Sequence, residues 1–244
     1  MKYLIGNWKM STDNIKADAF CNSMRKSKFP AGIKYGISIP HVYLYKTAQT
    51  LKKAGWLAGA QNVAYAESGA YTGENSAKMV SSVGADFSLV GHSERRALFE
   101  ETDEVVNKKI NRIINNGLIP LLCVGETLDE YNQKNTKKVI GRQLKEGLKD
   151  IKNISKLIIA YEPVWAIGTG KVASVNDIKT NILFIKQTVR KKYGDNAKIP
   201  VLYGGSVKSS NAKEIFAIDC VDGALVGGAS LDCAEFLAIA KCMK

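Results

Sequence analysis

The chain has 244 residues, 45% of them hydrophobic and 24% charged, which gives material for a sizeable core and excludes a disordered chain. No apolar stretch approaches the roughly 20 residues that a membrane-crossing helix needs, and the first residues carry too short an apolar run for a signal peptide. The five cysteines (Cys21, Cys123, Cys220, Cys233, Cys242) show neither paired metal spacing nor an even disulfide set, so a reducing, cytoplasmic compartment is expected and no metal is.

The net charge of +12 admits two readings, nucleic-acid binding or a lysine-rich solvated surface. The lysines are spread over helical segments such as Lys134 to Lys156 and Lys186 to Lys192, without the interleaved aromatics of a strand-binding groove. A solvated surface with some attraction for anionic metabolites is the expectation, with no nucleic-acid or membrane partner.

In chain order, the first strand candidate is Tyr3–Ile5, followed by Asn7-Trp8-Lys9, which puts a long cationic side chain just past the strand end. Further short apolar runs follow at Gly36–Ile39, Trp56–Ala60 and Phe87–Val90. The last of these runs into Gly91-His92-Ser93-Glu94-Arg95-Arg96, where His92 stands at a strand end and Ser93 opens a helix with Glu94 in its first turn. The positive end of a helix dipole disfavours imidazolium, so a neutral, hydrogen-bonding His92 is expected there.

Val106, Ile110, Ile113 and Ile114 share one helical face before the next strand, Ile119–Val124. The run Leu157–Ala160 then ends in Tyr161-Glu162-Pro163-Val164-Trp165-Ala166-Ile167-Gly168-Thr169-Gly170-Lys171. A carboxylate closing a strand buried on both faces should emerge at its C-terminal edge, where barrel and open-sheet enzymes place their chemistry. Pro163 stiffens the loop, and Gly168 and Gly170 bring backbone N–H groups close to an anion, so a hinged flap is expected.

Ile178, Ile182, Ile185 and Val189 mark a second helix, capped by Ser174 or Asn176 and ended by Gly194. The last two strands, Pro200–Tyr203 and Ala224–Val226, each run into paired glycines, Gly204-Gly205-Ser206 and Gly227-Gly228-Ala229-Ser230. Side-chain-free backbone at these strand ends fits a phosphate cradle, and two tight turns are the plainer reading.

Eight strands alternating with helices over one uninterrupted chain call for a (β/α)8 barrel spanning residues 1–244 as a single domain, with a doubly wound open sheet as the alternative. The close spacing of strands 2 to 3 and 7 to 8 leaves room there for only short helices.

Several motifs fail. Gly168-Thr169-Gly170-Lys171 lacks the upstream Gly and the following Ser or Thr of a P-loop, and no acidic residue follows at dinucleotide-binding distance. Ser93 lacks the nucleophile elbow, and Cys123 has no metal-spaced partner. What remains, a carboxylate base, a neutral His, a Lys and a phosphate cradle, suits proton abstraction next to a carbonyl without a cofactor.

Taken together and in order, Asn7-Trp8-Lys9, Gly91-His92-Ser93-Glu94-Arg95, Tyr161 to Gly170, Tyr203-Gly204-Gly205-Ser206 and Val226-Gly227-Gly228 closely resemble the motifs of the triosephosphate isomerases, along the whole chain. That family is itself a standard case of a Glu base, a neutral His and a closing loop on a TIM barrel. The resemblance implies an isomerase of glycolysis and gluconeogenesis that interconverts dihydroxyacetone phosphate and glyceraldehyde 3-phosphate. It implies Glu162 as base, His92 as electrophile, Lys9 as electrostatic partner, Asn7 as a substrate hydrogen-bonding group and Glu94 as support for Lys9 or a participant in proton handling.

For the phosphate the resemblance points to backbone groups of Gly168, Ser206, Gly227 and Gly228. Gly69 to Ala77 resembles a protruding loop that docks into a second subunit, which implies a homodimer with Thr72 reaching the partner's site. Val172 stands where the lid hinge commonly has Thr, and Glu100 where Gly is frequent. The competing readings are another phosphate-binding barrel isomerase or lyase, and a basic nucleic-acid-binding protein.

Overall fold

The structure, a computed structural model, describes residues 1–167 and 172–243. Eight parallel strands close on themselves in sequence order: β1 (Lys2–Asn7), β2 (Ile33–Ile39), β3 (Leu57–Ala60), β4 (Phe87–Val90), β5 (Ile119–Val124), β6 (Ile158–Tyr161), β7 (Val201–Tyr203) and β8 (Gly223–Val226). The connections carry α1 (Asn14–Lys26), α2 (His41–Lys53), α3 (Ala77–Ser82), α4 (Ser93–Leu98) and α5 (Asp103–Asn115). Then come α6 (Leu128–Asn132), α7 (Thr136–Gly147), α8 (Val175–Tyr193), α9 (Ser209–Phe216) and α10 (Cys233–Lys241). Closure is made by β1 against β8, with Tyr3 beside Gly223 and Gly6 beside Val226.

Strands in such a barrel are covered on both faces, and the core divides accordingly. An inner cluster of Ile5, Phe87, Leu89, Leu121, Cys123, Ile158, Leu202 and Leu225 fills the barrel. Because bulky side chains pack it, the barrel is a floor for anything bound above and not a pore. The larger outer cluster lies between strands and helices and includes Trp8 and Phe20, edge to face at 5.2 Å between centroids. Helix α8 buries Ile178, Ile182, Ile185 and Val189 on one face. Ser174 caps it by accepting the Asp177 N–H, and Gly194, at φ 93°, ends it.

One expectation is corrected. The connection between β2 and β3 holds a helix of 13 residues, α2, and not a short one. It starts at His41, directly after Pro40, so hardly any chain is spent on the turn. Its buried stripe of Leu44, Thr47, Ala48 and Leu51 includes a Thr and an Ala, which weakens the apolar signal.

Candidate functional site

The C-terminal ends of the strands gather the residues singled out in the sequence. Glu162 directly follows β6, His92 lies just beyond β4, and Asn7 ends β1 with Lys9 two residues on. Together with Ser206, Gly227 and Gly228 they line one cavity of about 230 Å³, floored by Leu225. Gly168 falls outside the described residues, while its neighbour Ile167 lines the cavity. Glu94 is joined to the group through Lys9, whose Nζ lies 2.6 Å from Glu94 Oε1.

Glu162 is almost wholly buried, at 2% exposure. Its Oε2 accepts the Ser93 N–H at 3.1 Å, and its Oε1 lies 3.3 Å from His92 Nε2. His92 caps α4, and its Nδ1 accepts the Glu94 N–H at 3.2 Å. A ring nitrogen that accepts has no proton, so the proton sits on Nε2, aimed at the carboxylate and the cavity. Beneath them, burial and then the Glu162 carboxylate push the Cys123 thiol well above its ordinary range, so it packs as an uncharged neighbour.

Lys9 reaches the site on a backbone at φ 51°, in the left-handed region that costs a side-chain-bearing residue roughly 1–2 kcal/mol. Asn7 Oδ1 accepts the Lys9 N–H at 3.0 Å, and Gln61 Nε2 donates to the Lys9 carbonyl at 2.9 Å. Trp8 between them donates from Nε1 to the Ser230 carbonyl at 3.0 Å, which fastens the loop after β1 to the loop after β8.

The two glycine pairs do different things. A Cβ on Gly204 would meet Glu162 Cγ at 2.8 Å, and one on Gly205 would overlap the Tyr203 ring, so a side chain at either forces a neighbour to move. A Cβ on Gly228 would meet nothing within 4 Å, and one on Gly227 only the Lys9 side chain at 3.5 Å. The second pair therefore leaves space open to the cavity, next to the short helical turn Gly228–Leu231.

Sequence reasoning passed over Lys208, which also lines the cavity, and Gln61, which holds Lys9. It also passed over Glu126, just after β5. Glu126 Oε1 accepts from Trp165 Nε1 at 2.9 Å and from the Tyr161 hydroxyl at 3.2 Å, beside the root of the expected flap. Burial raises the Glu126 carboxyl above the usual range, against the hydrogen bonds that favour its charged form. Thr72 is exposed on the loop after β3 and lines neither this cavity nor the hollow beside it.

The family model of triosephosphate isomerase matches residues 2–243. The chain belongs to the triosephosphate isomerase family. It is 43% identical over 244 residues to the triosephosphate isomerase of Chlorobium luteolum, covering 98% of each chain. To that of Francisella tularensis subsp. novicida it is 41% identical over 240 residues, covering 96% of this chain and 94% of the other. Among solved structures, the triosephosphate isomerase of Bartonella henselae superposes with a TM-score of 0.89 at 36% identity, over 99% of this chain and 98% of that one. Membership in the triosephosphate isomerase family thus extends over both the barrel and the strand-end loops.

Proposed function

We infer that this chain interconverts dihydroxyacetone phosphate and glyceraldehyde 3-phosphate, and that Glu162 is the base. The observation that carries the reading is the meeting of Asn7, Lys9, His92 and Glu162 on one small cavity beside an open glycine pair. Glu162 leaves its Ser93 and His92 contacts and takes a proton from the carbon next to the carbonyl. The electron pair moves into the carbon–carbon bond, and charge develops on the carbonyl oxygen. His92 Nε2–H, on a buried ring, donates to that oxygen and the Lys9 ammonium, held by Glu94, offsets its charge. The hydroxyl proton of the adjacent carbon then passes to the former carbonyl oxygen by way of His92 Nε2, and Glu162 returns its proton to the carbon that had carried the carbonyl, which forms the new carbonyl and completes the isomerisation.

The backbone at Gly227, Gly228 and Ser206 is the proposed seat of the phosphate. Asn7 orients Lys9 and hydrogen-bonds the substrate. Glu94, at 2.6 Å from Lys9 Nζ, fixes the ammonium until substrate arrives. The deciding experiment is Glu162→Gln in a coupled isomerase assay. General-base catalysis is worth about 10²–10⁴-fold, so kcat should fall by about 10³-fold with the fold intact. Near-normal turnover would remove Glu162 as the base.

A homodimer is part of the same reading. Met10, Val42 and Phe99 are 98%, 82% and 64% exposed, and they rim a hollow of about 420 Å³ that also touches Lys9, His92 and Glu94. Apolar side chains grouped at a hollow mark a surface meant to be covered, and the Thr72 loop of a second copy is the proposed cover. Sedimentation should show a dimer at micromolar concentration, and a fully active monomer would refute this.

A further inference from the structure

The cavity that gathers Asn7, Lys9, His92 and Glu162 is closed on one side by the loop after β7, where Ser206, Val207 and Lys208 line it together with Gly227, Gly228 and Ala229. Its charged lining among the described residues is Lys9, Glu162 and Lys208. Lys9 is held by Glu94 at 2.6 Å, and Glu162 repels any anion that enters. Among the described residues no carboxylate lies within ion-pair distance of Lys208, whose side chain is exposed. A phosphate ester carries about −1.5 to −2 charges at neutral pH, and a seat made of backbone N–H groups has no net charge to set against it. Lys208 is the uncommitted cation on that wall.

The chain on both sides of Lys208 is fastened. Asn211 Oδ1 accepts the Lys208 N–H at 2.9 Å, and Asn211 Nδ2 donates to the Ser206 carbonyl at 3.0 Å. Glu235, on α10, accepts from the Ser209 N–H at 2.8 Å and from the Ser209 hydroxyl at 3.0 Å. Lys208 also stands at the N-cap of α9, where its side chain makes no capping bond. The positive end of a helix dipole disfavours a cation, so local stability argues against lysine there. A residue that breaks a local rule at the wall of a functional cavity is explained by what that cavity binds.

We propose that Lys208 is the cation that receives the phosphate of the substrate, and that it makes the site select phosphorylated over unphosphorylated trioses. The proposal rests on the isomerase reading above and adds one ionic contact to its neutral phosphate seat. An ammonium on a flexible stem acts there as a point charge beside the backbone donors.

The test compares Lys208→Met, which keeps the length of the side chain and removes its charge, with Lys208→Arg, which keeps the charge. Initial rates are taken with glyceraldehyde 3-phosphate and with glyceraldehyde, and inorganic phosphate serves as competitive inhibitor. Lys208→Met should raise KM for the phosphorylated substrate and the inhibition constant of phosphate about fivefold, the reach of a solvent-exposed ion pair. Its kcat should stay as in wild type, the pattern of lost uniform binding, and kcat/KM for glyceraldehyde should not move. Lys208→Arg should restore KM, and added salt should narrow the gap between Lys208→Met and wild type. Unchanged KM and inhibition constant in Lys208→Met, or an equal loss on both substrates, would overturn the proposal while wild-type turnover leaves the isomerase reading standing. A wild-type chain inert toward glyceraldehyde 3-phosphate would overturn both.

Discussion

Replacing Gly204 with Ala tests the link between backbone packing and catalysis. The added methyl would sit 2.8 Å from Glu162 Cγ and 3.3 Å from the Tyr161 carbonyl. Carbon atoms pack best about 3.5–4.0 Å apart, so the Glu162 side chain must give way by about 1 Å. The Gly204 N–H is bonded to the Tyr161 carbonyl at 2.8 Å, so the backbone is the less yielding partner. A 1 Å displacement of a reacting group costs on the order of 10²-fold in rate, and overpacking of this kind costs about 1–3 kcal/mol in stability.

Gly204→Ala should therefore stay folded and lower kcat about 100-fold with a smaller change in KM. Gly228→Ala is the contrast, because its methyl meets no protein atom within 4 Å and would enter the space proposed for the phosphate. It should raise KM more than it lowers kcat. Initial rates over a substrate series, with thermal melts alongside, separate the two effects. Wild-type kcat in a folded Gly204→Ala protein would show that the Glu162 position is not what the contact controls.

Glu100 holds φ 52° with an exposed side chain, so Glu100→Gly should relieve about 1 kcal/mol of backbone strain and raise Tm by about 2–4 °C without changing turnover. An unchanged or lower Tm would count against strain at that residue. Buried Glu101 accepts from Lys109 Nζ at 2.6 Å and Arg95 Nε at 2.7 Å. Glu101→Gln should cost about 3 kcal/mol in chemical denaturation at neutral pH, having left a buried ammonium without its counter-charge. Burial opposes the charged form of Glu101, but Lys109 and Arg95 outweigh it and hold the carboxyl below its usual range. A depressed folded pKa stabilises above the unfolded value, so the gap between wild type and variant should be full above pH ~5 and shrink as pH falls below ~4. A gap that stays constant down to acid pH would refute the ion-pair account.

The strands were legible because a parallel strand covered on both faces must be apolar throughout. Phe87–Val90 and Ile119–Val124 have the same bounds in the sequence reading and in the structure. The residues after them stood out for the complementary reason, since Lys9, His92 and Glu162 are polar groups placed where an apolar run stops. Gln61 also follows an apolar run, Trp56–Ala60, but its partner is the carbonyl of Lys9, 52 positions away, which no local pattern reveals. Glu126 did follow a strand end, but its partner Trp165 lies 39 positions on and belongs to no local pattern. The glycine pairs read alike in one dimension. Only their neighbours, the Glu162 side chain and a Tyr ring for one and empty space for the other, tell them apart.

Closure of β1 onto β8 bears on how the chain is made. The first strand pairs on one side with β2 but on the other only with Gly223–Val226, near the far end of the chain. During synthesis its second edge, with Trp8 still lacking the Ser230 carbonyl, must wait for nearly the whole polypeptide to leave the ribosome. Nascent chains stopped short of residue 223 should thus expose an adhesive strand margin and lean on chaperones. Pairing with Gly223–Val226 ends that exposure in a single step.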